Sequence, residues 1–511
     1  MTARSLMGVE TEYAVTALGP DGTAFDRGTL VERIFAQARQ VLPHVRDAGN
    51  GLFLSNGARF YLDRGHHPEF ATPECGDPWE VVRYVRAGEA ILFDLVQRVR
   101  QQSPAISEVS VFRCNVEYDR SGTTWGCHES YLHDLNPRIL PSQLIPHFVT
   151  RVVYAGAGGF NPLLPGAEFT LSPRAWLLPN VTADDSTGQR GIFHCRDESL
   201  AAGGWERMHV ICGESLCSDA AAVLKLGTTA LILAAIAAGR APGDAVRLAS
   251  PVHALRKVAI FGRRAAVDLE GGGTLSPVEI QWHYLAAVER CRSRELPEWA
   301  PELCALWRHQ LKALESEDPS LERTLDWAVK RALYRRWVRP HMSWEQFHHI
   351  SDLVETMERV AQRKFRTAGE PHLCITAMLA EGEVEAEHRR RLVPMLDSEG
   401  TTWEDLRRFF GIRNQLLEAD VRFGELGERG IFTQLEQAGL LSHRLDRPAE
   451  PRNVLREAPP GRAAVRGRTI RQLWDQQRAN QYRGDWSVLW SEQTGSTLDL
   501  SYPFVTSAEW R

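Results

Sequence analysis

Residues 1–270 alternate between short apolar runs and Gly-rich or polar turns, the pattern of strands joined by tight connections. The segments 109–112 and 208–212 are two such runs. Between them lie helical stretches such as 78–101, where apolar positions recur at spacings of three and four and Trp79 opens the run. This interleaving predicts an α+β region built on a sizeable antiparallel sheet. Beyond residue 275 the pattern changes to long amphipathic stretches rich in Leu, Glu and Arg. Helices are expected over 277–292, 300–315, 321–338, 343–364 and 383–392. The Pro-rich, charged stretch 441–466 reads as a linker. The expected division is therefore a large domain over 1–440 and a small packed C-terminal module over 467–511, which contains Trp474, Trp486, Trp490 and Trp510.

Composition adds exclusions. The 511 residues are 43% hydrophobic and 24% charged, near the average for globular proteins. A formal net charge of −5 argues against a dedicated nucleic-acid binder, whose domains are strongly basic. The nine cysteines are scattered and form no C-x-x-C, so neither a disulfide framework nor a structural zinc site is expected. Reduced thiols fit a cytoplasmic protein. The first apolar run, 7–15, is interrupted by Glu10 and Glu12 and does not resemble a signal peptide. The most membrane-like stretch, 220–239, carries Lys225 and ends at Gly239; it is expected to be a buried helix, with no membrane partner. The glycines at 156, 158 and 159 are not followed by Lys-Ser/Thr and form no P-loop. The basic, aromatic run 330–339 reads as a solvated helix face or a docking surface for an acidic partner. His348 and His349 lack metal-like partner spacing.

The candidate chemistry begins with Gly8-Val9-Glu10-Thr11-Glu12-Tyr13. In a strand Glu10 and Glu12 point to one side. They form either a solvated face or, if buried, a pair that requires a cation. The segment from Asn56 to Cys75 favours the second reading. It concentrates Arg, Asp, His and Glu, and Arg59, Tyr61 and Asp63 alternate along one strand face. Carboxylates with a neighbouring Arg suit Mg²⁺ and phosphate: hard oxygen ligands for the metal, a forked donor for the anion.

Several motifs together resemble those of the Pup ligase / Pup deamidase-depupylase (PafA/Dop) family. They are Glu10-Thr11-Glu12-Tyr13, Asn56-Gly57-Ala58-Arg59-Phe60-Tyr61-Leu62-Asp63, and His67-Pro68-Glu69-Phe70-Ala71-Thr72-Pro73-Glu74-Cys75. Further along come Gly126-Cys127-His128-Glu129-Ser130-Tyr131-Leu132, Arg207-Met208-His209-Val210-Ile211, Leu224-Lys225-Leu226-Gly227-Thr228, and Arg483-Gly484-Asp485-Trp486. The resemblance implies a glutamine-synthetase-like catalytic domain with a curved antiparallel sheet, and a smaller C-terminal domain. It implies ATP and Mg²⁺ as cofactors, and as partners a small Pup-like protein and a lysine-bearing target. The expected reaction phosphorylates a glutamate side chain and joins it to the lysine amine.

Carried over by motif, Glu10, Tyr61 and Glu69 resemble magnesium ligands, with Glu12 and His209 as further metal candidates. Arg59, Thr72 and Trp486 resemble nucleotide contacts, with Arg207 added. Asp63 matches the catalytic base. Glu74, His128 and Glu129 fall inside the same motifs as candidates for lining or supporting the cavity.

Two motifs depart from the family pattern. Arg196-Asp197-Glu198-Ser199-Leu200-Ala201-Ala202 lacks the family's His and final Asp, and Gly213-Glu214-Ser215-Leu216 lacks an Asn. Residues 341–410 form an atypical, helical and charged insertion. These changes fall on the acceptor side and leave Pup itself open as the substrate. The alternatives are a phosphotransferase acting on another acceptor and a depupylase. The short spacing between Val15 and Asn56 favours ligase chemistry over hydrolysis, because depupylases carry a long loop there.

Overall fold

A computed structural model describes residues 5–63, 65–196, 200–364, 386–444 and 453–511. Asp197, Glu198 and Ser199 of the first departing motif, part of the insertion and part of the linker lie outside these residues.

The organising element is a ten-stranded sheet. Its order is Glu206–Val210, Cys127–His133, Met7–Glu12, Pro68–Ala71, Arg59–Leu62, Leu52–Leu54, His44–Asp47, Tyr482–Gly484, Val488–Ser491 and Thr497–Asp499. Among the described residues, every pairing within this sheet is antiparallel except one. His44–Asp47 runs parallel to Tyr482–Gly484, so the C-terminal strands extend the N-terminal sheet. The helix Arg462–Asp475 begins inside the expected linker. It packs Val465, Ile470 and Leu473 against Val45, Phe53 and Leu489 in a core shared by the two ends of the chain. The boundary thus differs from the expected one at 467: the apolar face of this helix needs a partner, and Val45 and Phe53 supply it.

One sheet face is covered by helices. Pro78–Gln102 starts with Asp77 accepting from the Glu80 N–H and with Pro78 in the first turn. Asp219–Ala237 starts with Ser218 accepting from the Ala221 N–H. Apolar on all sides, this second helix is long enough to cross a membrane by length and composition, yet most of it is buried in the core. Met7, Val9, Tyr131 and Met208 project from the sheet into that core. Phe60 and Phe70 enter a neighbouring cluster, where Phe60 stacks on Phe35 at 4.5 Å. Truncating a buried aromatic of this kind costs about 3–5 kcal/mol.

The expected helix 321–338 is broken. Leu321–Thr324 and Asp326–Val338 are separated by extended backbone at Leu325. Asp326 accepts from the Cys217 and Ser218 N–H groups, a long-range tertiary tie that sits at the start of the second helix, beside the break. Within the insertion, Trp344–Lys364, Ala386–Ser398 and Trp403–Phe423 are helical. The basic run also differs from a solvated face at its start: Lys330 is buried, 2.9 Å from Asp420.

Candidate metal and phosphate site

Alternation along Met7–Glu12 sends Met7, Val9 and Thr11 into the core and leaves Gly8, Glu10 and Glu12 on the other face. Strand register then assembles the rest. Arg59, Ala71, Glu10 and His128 lie opposite one another across four strands, and Tyr61, Glu69 and Glu12 across three. The Glu206–Val210 strand adds Arg207 and His209 at the edge. Residues far apart in sequence therefore meet on one face because the pairing has a period of two.

The centre is Glu10. Its Oε1 lies 3.2 Å from Arg207 Nη1, and its Oε2 lies 3.7 Å from both His128 Nδ1 and His209 Nε2. Burial alone would raise the Glu10 pKa, but the His128 contact and the neighbouring positive groups hold it well below the usual carboxylate range. Burial pushes His209 down to about 3 against the pull of Glu10, which leaves a neutral imidazole. Its Nε2 is buried without a hydrogen-bond partner, the state of a ring nitrogen available to a metal.

A second group surrounds Glu12. Its Oε2 accepts from the Gly126 N–H at 2.7 Å, and a side chain at Gly126 would collide with Glu12 and His128. His67 Nδ1 sits 3.7 Å from Glu12 and 3.3 Å from Asp63 Oδ2. Burial works against the charged imidazole, but Asp63 and Glu12 outweigh it and raise His67 to about 9. Asp63 also accepts the His67 N–H at 2.6 Å, and these bonds overcome burial to keep it ionised.

Glu69 behaves differently. Burial, reinforced by the charges of Glu10 and Glu12, pushes its carboxyl well above the normal range. The same burial and the charges of Glu10 and Glu69 raise the Tyr61 phenol. The basin carries more negative charge than its own side chains neutralise, which is the electrostatic condition that a divalent cation relieves. Among the described residues, three sets of donors have ligand atoms within 4.8 Å of one another: Glu10, His128 and His209; Glu12, Asp63 and His67; and Glu12, Glu69 and His128. The donor chemistry fits a hard cation on the carboxylates, with imidazoles at the edge.

Arg59 does not reach freely into the basin. It donates to Asp47 Oδ2 at 2.9 Å through Nε, and its guanidinium carbon lies 4.0 Å from the Tyr61 ring centroid. Beyond Glu10 the open face continues into a largely apolar cleft walled by Gly8, Thr72, Leu132, Leu200, Arg207 and Trp486. Thr72 Oγ1 also accepts from the Val9 N–H, fixing the first strand. The basin and the cleft thus share Glu10 and Arg207, an arrangement suited to a ligand with a polyphosphate end and a flat apolar end.

Two candidates are held by arginines, Glu129 away from the basin and Glu74 at the wall of the cleft. Glu129 faces the helices, where Arg151 holds both its oxygens at 2.9 and 2.6 Å. Glu74 is paired with Arg462 and Arg466, which overcome burial and hold it at about 2. His67 was not singled out from the sequence. Its position two residues before Glu69 in a His-His-Pro-Glu run is the one signal that pointed to it.

The ten-stranded sheet, its helical layer and the acidic basin define an α+β protein that gathers carboxylates and imidazoles on one sheet face. A family model described as Pup-ligase protein matches residues 5–354, and the chain belongs to that family. A Pup–protein ligase of Sanguibacter keddieii is 35% identical over 353 residues, covering 67% of this chain and 76% of that protein. One from Mycolicibacterium gilvum is 36% identical over 352 residues, covering 65% and 74%. The crystal structure of Pup in complex with its ligase PafA superposes with a TM-score of 0.71 at 22% identity, covering 99% of this chain and 90% of that one. PafA in complex with ADP gives 0.65, also at 22% identity, covering 95% and 93%.

Proposed function

We propose that this protein is an Mg–ATP-dependent carboxylate–amine ligase that joins a glutamate side chain of a Pup-like protein to a lysine. The observation that carries the reading is the junction at Glu10 and Arg207. There an acidic basin with surplus negative charge meets an apolar cleft bounded by Thr72, Leu132 and Trp486. Membership of the Pup ligase family supports the substrate class.

In this reading Glu10, Tyr61 and Glu69, joined by Glu12 and His209, would hold Mg²⁺, whose charge would neutralise phosphate oxygens. Arg207 would orient the phosphates, with Arg59 held beside Tyr61 by Asp47 at the margin of the basin, while Thr72 and Trp486 would bound the nucleoside. The glutamate carboxylate attacks the γ-phosphorus of ATP, ADP leaves, and an acyl phosphate forms. Asp63 takes a proton from the lysine ammonium, the free amine attacks the acyl carbon, and phosphate departs as the amide forms. Positioning and charge neutralisation account for most of the acceleration in such phosphoryl transfers. A cytoplasmic setting suits the ATP requirement and the reduced thiols.

The test is incubation with Mg–ATP, a Pup-like protein ending in glutamate and a lysine-bearing target, with mass analysis of the products. An isopeptide-linked conjugate with release of ADP and phosphate is expected. A phosphorylated acceptor with no amide bond would replace the ligase with a phosphotransferase. Release of the small protein from a preformed conjugate, without joining, would indicate a depupylase.

A further inference from the structure

We infer that Arg466 is a positioning residue for the nucleotide: it fixes the Trp486 indole as a wall of the cleft and ties it, through Glu74, to the segment that carries the acids. This rests on the reading of the cleft as the nucleotide site.

Arg466 is fully buried, on the helix Arg462–Asp475. Its Nη2 donates to Glu74 Oε2 at 2.6 Å and to the Gly57 carbonyl at 2.9 Å. Its Nη1 donates to Glu74 Oε1 and to the Trp486 carbonyl, each at 3.3 Å. The guanidinium carbon also lies 4.9 Å from the Trp486 ring centroid. Phe53 meets the same ring edge-on at 5.2 Å, so the indole is held from its backbone and its ring. Glu74 lies five residues after Glu69 and two after Thr72 in the sequence. Arg466 therefore touches the turn at Gly57, the end of the acid-bearing segment and the aromatic wall together.

A buried ion pair is a poor device for stability alone, because desolvation offsets much of the attraction. A guanidinium does have a specific use here. Its fork reaches a carboxylate, two carbonyls and a ring face at once, whereas an ammonium is a single point of charge.

The test is a double-mutant cycle on Mg–ADP affinity, measured by calorimetry on the full chain, together with KM and kcat for ATP. Arg466→Lys keeps a cation beside Glu74 but loses the fork. Its Mg–ADP affinity is expected to fall roughly tenfold, with KM for ATP rising in parallel and kcat changing little. Trp486→Ala should weaken binding at least as much, and adding Arg466→Lys to it should then cost almost nothing further. Additive losses, an unchanged Arg466→Lys affinity, or a fall in kcat without a change in KM would each overturn the positioning role. If Trp486→Ala binds Mg–ADP as tightly as the parent, the nucleotide does not use this cleft and the functional reading itself fails. Circular dichroism and thermal melts accompany each variant. Should Arg466→Lys not fold, Arg466→Gln, which keeps a planar donor, takes its place in the cycle.

Discussion

One residue holds both oxygens of Asp63: the His67 N–H lies 2.6 Å from Oδ1 and the His67 ring nitrogen 3.3 Å from Oδ2. The arrangement keeps the carboxylate ionised and aimed, as a base for an incoming ammonium requires. Asp63→Asn should therefore lower turnover by about 10²–10⁴-fold, the usual contribution of a positioned base. Mg–ATP affinity should change little. Steady-state kinetics alongside calorimetry checks both halves. A variant that cannot bind Mg–ATP would make Asp63 a metal ligand.

Glu10 and Glu69 should fail in the opposite way. Glu10→Gln removes a charge from the basin, and Glu69→Gln removes a carboxyl that a bound cation would ionise, each with little change of shape. Each should weaken Mg–ATP binding by about tenfold or more, since these carboxylates supply the field that a cation relieves. Parallel titrations with and without Mg²⁺ are the check. Equal loss in both would place the defect outside the metal site.

The raised Glu69 carboxyl leads to a linkage prediction. Burial and the charges of Glu10 and Glu12 favour its protonated form, whereas a bound cation favours the anion. Mg²⁺ binding should thus release protons, and affinity for Mg²⁺ should rise with pH until Glu69 is ionised in the free protein. Calorimetry in two buffers of different ionisation enthalpy measures the release directly. Equal apparent enthalpies would mean that Glu69 is already ionised before the metal arrives.

Glu74 gives a stability prediction at low pH. Its carboxyl is lowered from 4.5 to about 2, with Arg466 and Arg462 outweighing burial. The associated stability, about 3 kcal/mol at 1.36 kcal/mol per pH unit, is fully present above the unfolded value. It is lost progressively as pH falls from 4.5 towards 2. Glu74→Gln should be less stable at pH 7 by about 3–5 kcal/mol, because it leaves two buried arginines without their carboxylate. It should also lose the part of the acid dependence that Glu74 causes. Denaturant melts at pH 7, 4.5 and 3 compare the two proteins.

Much of the basin was legible in the sequence because strand periodicity and chemistry coincide there. Glu10 with Glu12, and Arg59 with Tyr61, needed only the alternation rule, and the matching motifs brought in Glu69, Arg207 and His209. What periodicity could not give was the partner of each face. Glu129 lies in the same motif as His128, yet it occupies the opposite side of the strand, and Arg151 together with the Tyr131 hydroxyl explains why a carboxylate is tolerated there. His67 escaped notice because its role depends on a turn that brings its ring back to Asp63. The break at Leu325 was invisible because Asp326 is capped by backbone N–H groups from residues more than a hundred positions earlier. The pairing of His44–Asp47 with Tyr482–Gly484 has no local signature, since parallel pairing across that distance is set by tertiary packing alone.

That parallel seam has a consequence for how the protein is made. Asp47 is synthesised long before Arg483, whose side chain caps the Asp47 carbonyl at 3.1 Å. During translation the emerging sheet has an exposed edge at His44–Asp47, and contacts of such long sequence separation form slowly. A chain released early would lack Arg466, Trp486 and the last three strands while keeping every acid of the basin. The ribosome must finish its work before the cleft has its aromatic wall, and a prematurely terminated product would expose Val45, Phe53 and the His44–Asp47 edge that the C-terminal elements otherwise cover.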